Sequence, residues 1–285
     1  MAVFKQKNEI VYFAVQNAKL RVGLLVVCLM VLLAIIGPML TDRQPREFVA
    51  PGPLPPSSEY WFGTTSFGED VYTQFVHGLR ATFIVGLLGG GLGTLLGVLI
   101  GFTAGYRGGI VDEILNMFTN IVLVVPSLVV LIIVVAYLDV RGFLFESVFI
   151  GCFAWPWVAR AVRAQTFSLR NRDFVDLARL SGMKPWRIIA TEIAPNMLSY
   201  LLLASILQFG GAILTAAALD FIGLGPTNAV SLGLMMNHAV IYGALLLGMW
   251  WWFIPPGLAI TTIVGALYVT NVGLDEAFNP KLREM

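Results

Sequence analysis

The residues whose types and spacing carry chemistry concentrate in one stretch of this 285-residue chain, 172–196, RDFVDLARLSGMKPWRIIATEIAPN. The chemistry is that of docking. Asp176 falls near the start of a short predicted helix, where a carboxylate favours the positive dipole end and accepts hydrogen bonds from a partner. Ala178 is small and permits close approach. Gly182 allows the backbone to turn between two short helices. Beyond it, Met183, Trp186 and Ile189 lie near Lys184 and Arg187, with Trp186 and Ile189 on roughly one face. Pro195 stops the element. The stretch reads as a helical knuckle between two membrane spans, a surface for another protein to push on. The plainer alternative is a charged loop that obeys the positive-inside rule.

Groupings for catalysis are missing. His77 and His238 are far apart in sequence, and each reads as an interfacial polar residue. Cys28 and Cys152 fall in apolar runs and give neither a disulfide framework nor metal spacing. There is no G-x-x-x-x-G-K-[ST] phosphate loop. No span carries an ionisable residue at its centre, which argues against an ion-coupled carrier. The expectation is no catalytic residue, no metal and no cofactor in this chain.

The elements that must hold the knuckle are membrane spans. Hydrophobic residues make up 58% of the chain and charged residues 12%, with mean hydropathy +0.81, which is the composition of a membrane protein. The apolar pattern predicts an all-α polytopic protein with spans near 22–40, 81–104, 114–138, 147–162, 197–219 and 244–270. Pro126 is expected to kink the third span, and Pro255-Pro256-Gly257 to break the sixth. Residues 41–79 read as an extended external loop, with Trp61 and Phe62 at the interface. Residues 220–242 read as mildly amphipathic, lying in the outer interface or dipping into the membrane. Gly89, Gly93, Gly97, Gly101 and Gly105 recur every fourth position, which aligns them as one groove for close helix packing. Lysine and arginine cluster on one side (Lys5, Lys7, Lys19, Arg21, Arg107, Arg160, Arg163, Arg170, Arg172, Arg179, Lys184, Arg187, Lys281, Arg283), against Arg43, Arg46, Arg80 and Arg141 on the other. That places the knuckle and both termini in the cytoplasm. The divisions expected are 1–79 (first span and external loop), 80–271 (a core of five spans) and 272–285 (a cytoplasmic tail).

Asp176-Leu177-Ala178, then Gly182, then Glu192-Ile193-Ala194-Pro195 resembles the E-A-A-x3-G-x9-I-x-L-P signature of ABC importer permeases. Asp176 stands for the glutamate, Leu177 for the first alanine and Ala194 for the leucine. Further segments are similar to the dipeptide/oligopeptide branch: Phe62-Gly63-Thr64 with Gly68-Glu69-Asp70-Val71; Gly105-Tyr106-Arg107-Gly108-Gly109 with Asp112-Glu113; Ala218-Leu219-Asp220-Phe221-Ile222-Gly223-Leu224-Gly225; Pro226 with Ser231-Leu232-Gly233-Leu234-Met235; Gly257-Leu258-Ala259-Ile260; and Asn279-Pro280-Lys281-Leu282-Arg283. Glu69, Asp220 and Leu232 depart from that branch's usual arginine, serine and tryptophan.

The resemblance implies a type I ABC importer permease of the cell (inner) membrane with six spans. It implies that the knuckle is the coupling helix, with Asp176, Ala178 and Gly182 at the ATPase contact. The implied partners are a homologous permease subunit, two ABC ATPase subunits that bind ATP and Mg, an extracytoplasmic substrate-binding protein and membrane lipid, and no nucleic acid. The cargo implied first is di- or oligopeptide, with oligosaccharides or other solutes as alternatives. Gln208, Trp155 and Trp157 are the candidate pathway residues. Trp250, Trp251 and Trp252 read as an interfacial belt, or as a cluster to stack on sugars. An ATPase-independent channel or carrier and a membrane scaffold are the rival classes.

Overall fold

A computed structural model describes residues 16–137, 142–227 and 229–278. Lys5, Lys7, Arg141 and the 279–283 motif lie outside them. Among the described residues every regular element is helical, apart from two isolated bridges, Phe48 to Glu69 and Thr64 to Asp70.

The helices are α1 (Ala18–Ile36), α2 (Val71–Arg107), α3 (Gly109–Val124), α4 (Ser127–Tyr137), α5 (Phe143–Leu169), α6 (Asp173–Leu180), α7 (Pro185–Ile188), α8 (Ala194–Asn196), α9 (Leu198–Phe221), α10 (Leu232–Ile241) and α11 (Trp250–Phe278). α1, α2, α9 and α11 are long and apolar enough to cross a membrane. α3 and α4, bent by 75° at the break before Ser127, make a fifth if they are counted as one span. Pro126 explains that break, since it disfavours helical backbone at Val125, which is extended. α5 occupies the place of the other expected span with 27 residues, but Glu146, Arg160 and Arg163 lie within it. Length and apolarity therefore do not establish six spans. Many large apolar side chains stay exposed, among them Leu25, Leu32, Leu87, Leu99, Val124 and Leu258, as faces that meet lipid or another subunit must be.

α2 is the spine. At 37 residues it is roughly 55 Å long, well over a bilayer's apolar thickness. It starts ten residues before the predicted span, because Asp70 caps it: the Thr73 amide donates to Asp70 Oδ2 at 3.1 Å. Its most extensive contact is with α5, and the five spaced glycines make that contact. A Cβ on Gly97 would lie 2.6 Å from Val158 Cβ and 2.8 Å from the Trp155 carbonyl oxygen. On Gly101 it would lie 2.7 Å from both the Ala159 oxygen and Val162 Cβ, and on Gly105 2.7 Å from the Arg163 oxygen. Gly89 approaches Ser147 and Gly93 approaches Ala154 more loosely, at 3.2 Å. A second glycine pair on α2 takes α9, with Gly86 under Ile213 and Gly90 under Phe209.

α1 closes on α11. Gly23 sits against Thr270 and Gly273 against Leu20. Asn17 both caps α1 and donates to Glu276. The main core gathers Phe75, Leu79, Ile213, Trp252, Ile263 and Leu267 from α2, α9 and α11.

Three expectations change. The external loop is folded rather than extended, because hydrogen bonds, not apolar periodicity, hold it. Thr64 and Thr65 are fully buried; Thr64 Oγ1 donates to the Gly52 oxygen at 2.8 Å and its carbonyl accepts from Trp251 Nε1 at 3.1 Å. Phe62 packs edge-on against Phe75, while Trp61 remains exposed. The last span begins at Trp250, after a turn at residues 242–249, and runs through Pro255 and Pro256 without a break. Pro255 and Pro256 are its sixth and seventh residues, past the first turn, so the helix carries both without the amide donors they lack. Finally, the three tryptophans do not form one belt: Trp252 is buried, Trp251 ties down the loop, and only Trp250 is mainly exposed.

Candidate functional site

The knuckle is built as a seat and a face. α6 ends in a Schellman closure: the Met183 amide donates to the Ala178 oxygen at 3.2 Å and the Gly182 amide to the Arg179 oxygen at 3.0 Å. Gly182 has φ +73°, and a Cβ there would meet nothing within 4 Å. Glycine is needed here for its backbone conformation rather than for space. α7 starts at Pro185 and passes into a π turn, Ile189–Ile193, closed by the Ala194 amide on the Ile189 oxygen. Pro195 follows directly and lies inside the short α8. The chain breaks two residues later, at Met197, with φ −120° and ψ 17°.

The inner side of the knuckle is apolar and buried. Val175, Ala178, Ile188, Ile193 and Met197 pack with Phe102 of α2 and with Val158 and Val162 of α5. Met183 is half-buried on the same cluster. Ala178, expected at the partner's contact, therefore faces this chain's own core, at 7% exposure. The outward face carries Leu177, Leu180 and Trp186 at 64%, 85% and 67% exposure. A soluble loop has no reason to present three large apolar groups around Asp176 and Arg187. Sequence reasoning misses Leu177 and Leu180, because an apolar residue in a short amphipathic helix reads as core until the buried face is known.

Charge frames the face. Arg179 Nη1 donates to Asp176 Oδ1 at 2.9 Å, and its guanidinium lies 5.5 Å from the Tyr106 ring centroid at the C-terminal end of α2. Tyr106, and then Asp176, push the Arg179 pKa up, so the cation is fixed. Asp112 in the first turn of α3 holds Arg163 of α5 in a two-pronged pair, Nε to Oδ1 at 2.5 Å and Nη2 to Oδ2 at 2.7 Å. Arg170 Nη1 donates to the Gly105 oxygen at 3.1 Å. Replacing Arg163 by alanine leaves Asp112 half-stranded beside apolar helices. The expected loss is about 2 kcal/mol, read as a drop of the subunit's thermal midpoint in detergent, with a lysine variant recovering only part of it.

The pathway candidates separate. Gln208 spans from α9 to α5, its Nε2 donating to the Ala154 oxygen at 2.8 Å. Trp155 is buried and stacks on Phe118 at 5.7 Å. Both act between helices. Trp157 is 46% exposed. One turn along α5 from it, Arg160 Nη2 donates to Asn120 Oδ1 at 2.7 Å. Asn120 lines a concavity on α3 of about 590 Å³ with Glu113, Asn116, Met117, Ile121 and Val124. The sequence does carry a signal for this polar stripe: Glu113, Asn116 and Asn120 recur at i, i+3 and i+7 in an otherwise apolar helix. No group of three or more potential metal ligands occurs among the described residues.

Residues 97–284 match the model of the family described as binding-protein-dependent transport system inner membrane component. The chain is 33% identical over 268 residues to the dipeptide transport system permease protein DppC of Alkalihalophilus pseudofirmus, covering 92% of this chain and 86% of that one. It is 32% identical over 271 residues to the oligopeptide transport system permease protein OppC of Bacillus subtilis, covering 94% and 87%. To a putative peptide transport system permease protein of Brucella abortus it is 32% identical over 272 residues, covering 94% and 90%.

Proposed function

The chain belongs to the family of binding-protein-dependent transport system inner membrane components, and from that membership we propose that it is one permease half of a peptide importer. It is a membrane transport subunit, and ATP is hydrolysed by a separate chain. Its partners are a homologous permease, two ABC ATPases that carry ATP and Mg, and an extracytoplasmic binding protein that delivers di- or oligopeptides. The chain crosses the membrane six times, α5 included, with the knuckle and both termini in the cytoplasm.

The observation that carries this reading is the two-sided knuckle. Its outer face of Leu177, Leu180 and Trp186, rimmed by Asp176 and Arg187, suits a groove on an ATPase. Its inner face is packed on α2 and α5. A push on the outer face therefore moves α2 and α5 together, since the glycine contacts leave those helices no room to slide separately. That movement opens and closes the interface with the second permease. Gly182 shapes the knuckle, and Ala178 and Met183 seat it.

Cargo passes along the stripe of Glu113, Asn116, Asn120, Arg160 and Trp157, exposed at Glu113, Arg160 and Trp157 and half-buried at the two asparagines. Glu113 and Asn120 are seven residues apart, roughly 10 Å along the helix. Opposite charges at that separation, Glu113 below and Arg160 above, suit the amino and carboxylate ends of a short peptide.

The test is uptake into proteoliposomes containing the assembled transporter and its binding protein. ATP-dependent uptake of labelled peptide is expected, and Arg160→Ala should lower it at least about tenfold while the ATPase stays bound. Uptake of oligosaccharide but not peptide overturns the cargo assignment. Solute flux without ATP overturns the importer itself.

A further inference from the structure

Away from the knuckle and the stripe, two acidic side chains meet inside the fold. Glu146 is in the first turn of α5 and Asp220 in the last turn of α9, 74 residues apart in sequence (220 − 146). Both are more than nine-tenths buried, at 6% and 3% exposure. Among the described residues, no ordinary donor reaches either Glu146 oxygen or Asp220 Oδ1. Asp220 Oδ2 is taken by the Ser231 hydroxyl.

The surroundings supply no counter-charge among the described residues. No lysine, arginine or histidine among the described residues is ion-paired with either carboxyl; Glu146 meets Asp220, and Asp220 meets Ser231. On α10, Asn237 donates to the Phe221 oxygen at 2.6 Å, while His238 faces Arg46 and the Tyr242 ring. On α2, His77 is influenced by Arg80. One turn inward, Ile150 and Ala216 join an apolar cluster with Val85, Leu131, Ala212 and Leu219. Two carboxylates in contact in such a place repel strongly and have lost their water. Something positive must lie between them.

Space decides what it is. A Cβ on Gly225 would overlap Asp220 Oδ1, and one on Gly233 would come within 2.7 Å of Asp220 Cβ. Backbone is packed onto Asp220, and no third histidine, cysteine, aspartate or glutamate among the described residues joins the pair to complete the oxygen shell a metal ion needs. We propose that Glu146 and Asp220 form a proton-binding site, one carboxyl donating a hydrogen bond to the other, and that the shared proton ties the start of α5 to the end of α9 and the loop before α10. The proton comes from water and returns to it, and no other bond is made or broken. With the orientation proposed above, the site lies at the outer end of the subunit and answers to the medium outside. The proposal goes beyond the transport assignment, and its test reads the fold alone, so transport can fail with the site intact.

The site holds its proton at low pH and loses it as pH rises, so its contribution to stability is present at low pH and lost in alkaline solution. The experiment is the thermal midpoint of the purified complex against pH for the parent, Glu146→Gln, Asp220→Asn and Glu146→Ala, with infrared spectra of the same samples. The parent should lose about 3 °C or more from neutral to alkaline pH. Glu146→Gln and Asp220→Asn, whose amides donate without a proton to lose, should remove that slope. Glu146→Ala should be less stable throughout. The parent's spectrum should hold a protonated-carboxyl carbonyl band at neutral pH that both amide variants lack. Equal slopes in the parent and Glu146→Gln overturn the proposal. So does a parent midpoint that sodium or calcium raises at fixed pH while Glu146→Gln does not respond, because the occupant is then a metal ion.

Discussion

Replacing Gly97 by leucine is expected to abolish assembly of the subunit, while the same change six residues earlier, Gly91→Leu, leaves its own fold intact. A Cβ on Gly97 would already overlap Val158 Cβ at 2.6 Å and the Trp155 carbonyl at 2.8 Å. The second contact is backbone of α5 and cannot rotate away. Leucine adds three more carbons in that direction, so α2 and α5 must part along the seam that Gly101 and Gly105 share. Overpacking of this kind costs about 3 kcal/mol or more, and the loss spreads because the same two helices hold the knuckle. A Cβ on Gly91 would meet nothing within 4 Å, and leucine there even improves helix propensity. The check is the recovery and thermal midpoint of the subunit purified in mild detergent. Equal recovery of Gly97→Leu and Gly91→Leu contradicts a glycine-defined seam.

The second large effect divides the knuckle. Trp186→Ala and Leu180→Asp should leave the thermal midpoint unchanged, because both side chains are exposed, yet weaken ATPase binding about thirtyfold each, the size of an interface hot spot of about 2 kcal/mol. Ala178→Leu should do the reverse first: it overfills the cluster of Val175, Ile188 and Ile193 and lowers the midpoint before any partner is added. Gly182→Ala adds strain of about 1 kcal/mol from φ +73° alone. Titrating purified ATPase against each variant in nanodiscs separates the two classes. A Trp186→Ala subunit that binds ATPase as tightly as the parent contradicts the assigned face.

Much of this is legible in the sequence, for identifiable reasons. The glycines at every fourth position have a period that only a helix uses, and they meet α5. Gly182 after Leu180-Ser181 marks a helix end that a positive φ completes. What stays hidden depends on neighbours that sequence spacing cannot reveal. Glu146 and Asp220 sit at span ends, where acidic residues read as loop, and only folding shows that α5 and α9 bury them against each other. Gln208 reads as a pathway residue because it is polar within a span, but its amide satisfies the Ala154 carbonyl across a helix pair. The loop at residues 41–70 lacks apolar periodicity because threonine and backbone hydrogen bonds, not a core, hold it. Pro255 and Pro256 read as a break because neither can donate to the carbonyl four residues back, yet the helix from Trp250 continues through both.

We propose above that a separate ATPase drives this chain through its knuckle. The most direct test is affinity purification from its own membranes in mild detergent, beside a Leu177→Asp, Leu180→Asp, Trp186→Asp variant, with mass spectrometry of what accompanies each. A Walker-motif ATPase and a second permease are expected with the parent, and the second permease alone with the variant. A parent complex that retains the second permease yet brings no ATPase contradicts the proposal.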